Sequence, residues 1–402
     1  MSALAAHVAT VAKLAPSLLA HPGYSYETAK LLLSRLTLAM KTPADYRGGQ
    51  IRQVSIRITD LCNLRCHTCG QWGDNGYLLG QPMRELLRAE VPVDRYIALL
   101  HDLAARGHRP GLYLWGGEPM LYRGAVCLIE EAAKLGMPTS IATNGTKVAE
   151  NAEALVRAPM FIAQVSIDGH NSDIHNACRP GANPSTDNFS TVVGALDALK
   201  AERKRQGGKL PILAGLCTIN QRNADRLVDI YDAFHDKLDF MIFYLSWWID
   251  APSAAAHTTE FQRRFGTRPV RHEGWIGGWR PTDYSGLSRQ LATLARRALS
   301  PRGPGVLLVP DLTSPEDLER YYTDHGATFG FDRCTSIYRA VEINANGDVS
   351  PCRDYNDYVV GNIKTHTITD LWDNDAYRAF RRSLKCDGLM PVCTRCCGMM
   401  GN

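Results

Sequence analysis

The sequence predicts an α/β fold: a parallel sheet with helices outside it, open or closed as a barrel. Two observations predict it. From about residue 51, short strand-like runs alternate with amphipathic helix-length stretches, the pattern of successive βα units. Nine of the twelve cysteines fall in two groups, 62–69 and 334–397, one at each end of that series. Cysteines clustered at short spacings read as metal or cluster ligands, not as a secreted disulfide framework.

The elements follow in order. Residues 1–50 form a helical extension. In it Leu31, Leu32, Leu33, Leu36 and Leu38 are spaced with Lys30 and Arg35, an amphipathic pattern suited to a cap on the main domain. A docking face for a partner or a membrane surface is the alternative. Residues 51–246 form the core, with strands expected at 53–58, 111–115, 138–142, 163–167, 212–219 and 240–245. Helices are expected between them at 93–106, 124–135, 151–156, 187–203 and 224–235, the fourth capped by Ser185 or Asp187. Residues 247–333 are a connecting, substrate-covering region with a helix at 284–299, a short strand at 306–309 and a helix opened by Ser314 and Pro315. Residues 334–402 are a small α+β module, in which Asn346-Gly347 between two short strands signals a hairpin.

Composition bounds the function. The chain has 402 residues, 45% apolar and 21% charged, which is ordinary for a globular protein of two or three domains. A formal net charge of +4 without a long basic run gives no case for nucleic acid. No secretory signal stands out, and no window approaches the roughly 20 apolar residues of a membrane span. The expected compartment is a reducing cytoplasm.

Cys62, Cys66 and Cys69 form a CxxxCxxC motif just after the first strand. Three thiolates so spaced wrap three corners of a cubane [4Fe–4S] cluster and leave the fourth iron open to a chelating ligand. On spacing alone, zinc with His67 as fourth ligand is the alternative. The motif in this context resembles the signature of the radical S-adenosylmethionine (SAM) superfamily, and the resemblance runs from about residue 50 to the end. Gly116-Gly117-Glu118-Pro119 resembles that family's GGEP motif, which receives the SAM amino group. Thr143-Asn144-Gly145 resembles its segment near SAM, and Ser166 with Asp168 the segment that meets the ribose. Arg179 matches an arginine facing the SAM carboxylate, and 216–220, ending at Asn220, lies where the family contacts adenine. The family's aromatic residue before the third cysteine is Thr68 here, so Trp72 is the candidate to replace it.

The resemblance implies a partial (β/α)6 TIM-like barrel with a helical N-terminal extension and a C-terminal Fe–S module. Cys334, Gly347, Cys352 and the pair Cys393 and Cys396 resemble the SPASM/twitch extension. This implies one auxiliary [4Fe–4S] cluster held by Cys334, Cys352, Cys393 and Cys396. Cys397 is the alternative to Cys396, and Cys386 a spare thiol. A fully ligated cluster has no open iron, which points to electron transfer.

The implied reaction starts with reductive cleavage of SAM, fed by a flavodoxin- or ferredoxin-type donor. The resulting 5′-deoxyadenosyl radical takes a hydrogen atom from a small-molecule substrate, a sugar or natural-product intermediate, with dehydrogenation or epimerisation as outcome. Tyr244, Ser246, Trp247, Trp248, Trp275 and Trp279 are candidates for the pocket mouth. His175 and Glu342 are candidates for proton transfer, and Cys178 and Cys217 for returning a hydrogen atom. The other implied classes are a peptide-modifying maturase and a lipid-directed enzyme. Residues 1–50 are too short for the peptide-binding domain that many maturases carry.

Overall fold

A computed structural model describes residues 3–183 and 185–400. Its strands are β1 Gln53–Thr59, β2 Gly111–Gly116, β3 Thr139–Thr143, β4 Ile162–Ser166, β5 Ile212–Ile219, β6 Phe240–Leu245, β7 Gly305–Val309, β8 Ala340–Ile343, β9 Asp348–Ser350 and β10 Gly361–Asn362. They form one sheet in the order β10-β9-β8-β1-β2-β3-β4-β5-β6-β7. Neighbours from β1 through β7 are parallel, and β8 also lies parallel to β1 on its free side. The turn through β8, β9 and β10 is antiparallel.

All six expected core strands are present, each displaced by at most one residue at an end. Two expectations need correction. The strand expected in the connecting region is β7, a seventh parallel strand on β6. The C-terminal module is not a separate body, because its first strand, β8, extends the same sheet past β1. Both additions have one physical reason: β1 and β6 would otherwise expose unpaired backbone along a sheet edge.

Helices Val93–Ala105, Ala125–Lys134, Ala152–Arg157, Asn188–Gln206 and Leu227–Ala233 link successive strands. Asp187 is the cap of the fourth, accepting from the amides of Phe189 and Ser190, and Gly207 in the left-handed region ends it. Leu100, Leu128, Leu155, Leu196 and Ile230 pack between this helical layer and the sheet. The other face of the sheet curls round a lumen: side chains from β2 through β6 line one cavity of about 410 Å3. Its two edge strands do not pair, so the barrel is partial.

The N-terminal helices close that barrel from two directions. Helix α1 (Ala3–Ala20) covers the edge of β7. There Thr10 Oγ1 donates to the Val306 carbonyl at 3.1 Å and accepts from its amide at 3.0 Å. Helix α2 (Pro22–Met40) crosses the end where the strands begin. Tyr24 packs edge-on against Phe161, and Glu27, Thr28 and Leu31 reach the lumen. The expected cap is therefore present, but its apolar face is only partly used. Leu33 and Leu36 remain 61% and 62% exposed. Among the described residues no helix is long and apolar enough to cross a membrane.

Candidate active site

The chain leaves β1 into a loop held by its own polar groups. Arg57 is buried and pairs with Asp60 at 3.1 Å. Trp72 donates Nε1–H to the Asp60 carbonyl at 2.7 Å, and the Arg65 guanidinium covers its ring at 4.3 Å. Trp72 thus braces the loop from inside. N–H groups point at all three sulfurs. Leu64 N lies 3.4 Å from Cys62 Sγ, Trp72 N lies 3.5 Å from Cys69 Sγ, and Arg179 Nη1 lies 3.7 Å from Cys66 Sγ.

Burial pushes the Cys62 and Cys66 thiols up to about 12. Sulfurs so placed stay protonated until a cation replaces the proton, while the N–H groups suit the thiolate that results. His67 turns away and pairs with Asp74 at 3.0 Å. Among the described residues no three His, Cys, Asp or Glu side chains converge on a single ion. Thiols around a cubane stand further apart than thiols sharing one ion, because each binds a different iron. The residues fit a cluster and not the zinc alternative.

The GGEP segment ties β2 and β3 to that loop. A Cβ on Gly116 or Gly117 would strike the carbonyl oxygens of Thr59 and Leu61, so only glycine lets β2 end against the loop's start. Gly116 also has φ +133°. Glu118 is fully buried and accepts from Thr143 Oγ1 at 2.6 Å, Asn144 N at 2.7 Å and Met120 N at 3.0 Å. Burial outweighs these donors and raises it to about 7. A carboxylate has about four acceptor sites, so three donors leave one for an ammonium. Pro119 opens the short turn Pro119–Leu121 behind it. Asn144 Nδ2 continues the chain of contacts to Asn63 Oδ1 at 3.0 Å.

Four expected site residues line the lumen: Ser166, Arg179, Tyr244 and Trp247. Arg179 pairs with buried Asp168 at 2.7 Å. It stands between the cluster loop and the lumen, where a carboxylate would meet it. Asp168 also accepts from Thr218 N at 2.8 Å, so it orients Arg179 from behind. Asn220 is 3% exposed and spends its side chain on the Thr218 carbonyl and the Arg222 amide. It shapes the loop after β5 and does not face the lumen.

The expected catalytic set needs three corrections. His175 is buried; its Nδ1 accepts from the Asp168 amide at 3.4 Å, and burial drives it down to about 3. It stays neutral and is walled off from the lumen. Cys178 is buried against the Asp168 carbonyl and Asn220. Cys217 points outward into the helical packing, because Leu216 and Thr218 on either side take the lumen face of β5. Neither thiol is placed to meet a substrate radical.

The lumen also holds Leu216 and Thr218 of the segment expected near adenine, Cys397, and three residues the sequence did not single out: Tyr113, Gln164 and Arg353. Arg353 stacks on Tyr113 at 4.8 Å and forms no ion pair among the described residues. The Cys397 thiol donates to Asp354 Oδ1 at 3.2 Å. Beside the cluster loop a smaller cavity of about 190 Å3 is lined by His67, Thr68, Trp247, Trp248, Trp275 and Trp279, as expected for a pocket mouth. Trp247 borders both cavities.

Cys334, Cys352, Cys393 and Cys396 line a third, mostly apolar cavity, and Cys397 does not. The hairpin through Gly347, at φ +93°, leads from the first of these cysteines to the second. Burial raises all four thiols, Cys393 to about 12, so they too require a cation to ionise. Cys386 is exposed at the end of its helix and takes no part.

Glu342 on β8 is 4% exposed, and its Oε2 has no partner among the described residues. Burial pushes it up to about 8, with Arg353 opposing. It is therefore protonated in the fold at pH 7, while the unfolded chain titrates near 4.5. Stability from that proton is complete below 4.5 and lost as pH rises through 8. This group alone is expected to lower stability by about 1.4 kcal/mol per pH unit in that window. Urea melts of Glu342→Gln at several pH values should lack that slope.

Known proteins match both halves of the chain. A profile of the radical SAM superfamily matches residues 56–232, and one of the SPASM iron–sulfur cluster-binding domain matches 334–397. An AdoMet-dependent heme synthase of Oleidesulfovibrio alaskensis is 23% identical over 384 residues, 93% of this chain and 88% of that one. A GTP 3′,8-cyclase of Marinobacter nauticus is 26% identical over 48% of this chain, which spans about half, 53%, of that protein. SuiB of Streptococcus suis, solved bound to precursor peptide SuiA, superposes with a TM-score of 0.57 at 15% identity, over 92% of this chain and 74% of SuiB. That identity supports the fold alone. The chain carries a radical SAM domain over residues 56–232 and a SPASM iron–sulfur cluster-binding domain over 334–397, which imply a SAM-binding [4Fe–4S] cluster and an auxiliary one.

Proposed function

We propose that the chain oxidises a small molecule held in the barrel lumen. The observation that carries this is the barrel lumen. At about 410 Å3 it has the size of a small-molecule site, and α2 seals the end where the strands begin. Bound between the two cysteine sets, the clusters and SAM supply a 5′-deoxyadenosyl radical and an acceptor for the electron left on the substrate. The chain's own residues do the rest. Arg179, set by Asp168, receives the SAM carboxylate, and Glu118 has one acceptor site for its amino group. Tyr113, Tyr244 and Arg353 line the space for the substrate, and Trp247 and its neighbours cover the open end. Loss of a hydrogen atom, an electron and a proton completes a two-electron oxidation. The reduced core cluster requires a donor of flavodoxin or ferredoxin type and a reducing cytoplasm.

Epimerisation is the second reading, and Cys397 favours it: this thiol lines the lumen where Cys178 and Cys217 do not. In heavy water an epimerase would return deuterium to the substrate carbon, whereas a dehydrogenase would give a product short of two hydrogens. The test of the common reading uses the anaerobically reconstituted protein with SAM and dithionite. A small-molecule filtrate of the host's cells should raise 5′-deoxyadenosine formation several-fold, and the macromolecular retentate should not. Stimulation by the retentate alone would transfer the protein to the peptide-modifying class.

A further inference from the structure

We infer that His257 donates a hydrogen bond to a sulfur of the auxiliary cluster and thereby raises that cluster's reduction potential. The inference rests on the assignment of Cys334, Cys352, Cys393 and Cys396 to that cluster, and not on the substrate or the net reaction. His257 belongs to helix Ala251–Phe265, outside the matched SPASM segment. Its imidazole lines the same cavity as the four sulfurs.

The ring is 1% exposed, and neither Nδ1 nor Nε2 has a partner among the described residues. It is held by rings on three sides: Phe261 at 5.5 Å, His272 at 4.7 Å and Tyr355 at 5.9 Å between centroids. His272 meets it at 74°, with its own Nε2 taken by Thr258 Oγ1 at 3.0 Å. A neutral imidazole always carries one N–H. A buried donor left unmade is costly and rare, so a partner belongs in this cavity.

The walls offer none. Ser336 spends its hydroxyl on the Gly398 carbonyl at 2.9 Å, and Tyr355 on the Arg395 carbonyl at 3.2 Å. Phe261, Phe380 and Leu384 are apolar. Beside His272 Nδ1, which has no partner of its own among the described residues, the acceptors that remain are the sulfurs lining the cavity. An N–H directed at a cluster sulfur stabilises the reduced state, which carries the extra negative charge. A cluster that takes an electron from a substrate radical gains from such a donor.

The test isolates the auxiliary cluster in the full chain by replacing Cys62, Cys66 and Cys69 with alanine. An EPR-monitored redox titration then compares His257, His257→Phe and His257→Gln. His257→Phe should keep about four irons. Its reduction equilibrium should shift about tenfold toward the oxidised cluster, 59 mV for one electron. His257→Gln, which restores a side-chain N–H, should recover most of the shift. An unchanged midpoint with the cluster retained overturns the inference. Pulsed EPR of the chain with His257 in place gives a readout independent of either variant. A weak nitrogen coupling that His257→Gln alters is expected, whereas no coupling, or the strong coupling of a bound nitrogen, overturns the inference. Failure of the auxiliary-cluster assignment would show separately, as an iron-free triple variant.

Discussion

Cys66→Ala is expected to abolish 5′-deoxyadenosine formation and to remove about four of about eight irons per chain. Of the three loop thiols, Cys66 is the one that meets Arg179. Its sulfur lies 3.7 Å from Arg179 Nη1, and burial holds the free thiol near 12. Its removal leaves Cys62 and Cys69 to hold a cubane by two corners. His67 is the nearest substitute in sequence, but it is committed outward to Asp74. Loss of the vacant-iron cluster removes the radical itself, so activity falls to background and not by a tolerable factor. The auxiliary cavity lies in another part of the chain and should keep its iron. Cys178→Ala is the matched control. That thiol is buried in the same region but bonds only to Asp168 and Asn220, and its loss should change the rate by less than about tenfold, the effect of a small core truncation. Iron analysis and chromatography of the nucleoside product check both. Substantial 5′-deoxyadenosine from Cys66→Ala would refute the cluster assignment.

The strands and the cluster loop were legible because each has a local signature. β5 and β6 begin and end where apolar patterning places them, and CxxxCxxC needs no tertiary information. Two kinds of information were not local. One is which face of a strand a residue occupies when both faces are covered. β5 is apolar on both sides, so nothing in its composition marks the lumen face. The period of two was still available: if 216 and 218 face the ligand, Cys217 cannot. The other is what distant segments bring to the site. Arg353 and Cys397 reach the lumen only because β8 docks beside β1, and a pairing 287 residues apart, Gln53 with Ala340, leaves no trace in local pattern. Glu27 and Leu31 enter from α2 for the same reason. The glycines of the GGEP segment show the same limit. Their nearer obligation is to the Thr59 and Leu61 carbonyls, a close approach that only the folded chain reveals.

The adjacent pair Cys396 and Cys397 gives the sharpest contrast between neighbours. Cys396→Ala is expected to cost the auxiliary cluster, with iron falling from about eight to about four per chain, while Cys397→Ala keeps the full complement. The backbone sets the two sulfurs in opposite directions. Cys396 is extended, at φ −126° and ψ 128°, and closes the turn Pro391–Arg395. Its sulfur joins Cys334, Cys352 and Cys393 at one cavity. Cys397 begins the terminal helical turn and sends its sulfur to the lumen. Asp354 fixes it there, accepting from the Cys397 amide at 3.0 Å and from the thiol at 3.2 Å. A sulfur held by that carboxylate cannot also bind iron in the other cavity without breaking both bonds. Iron analysis of the two variants checks the contrast. If Cys397→Ala were the one to lose iron, the four-cysteine cavity would have to be reassigned, and the lumen would lose the thiol on which the epimerase reading depends.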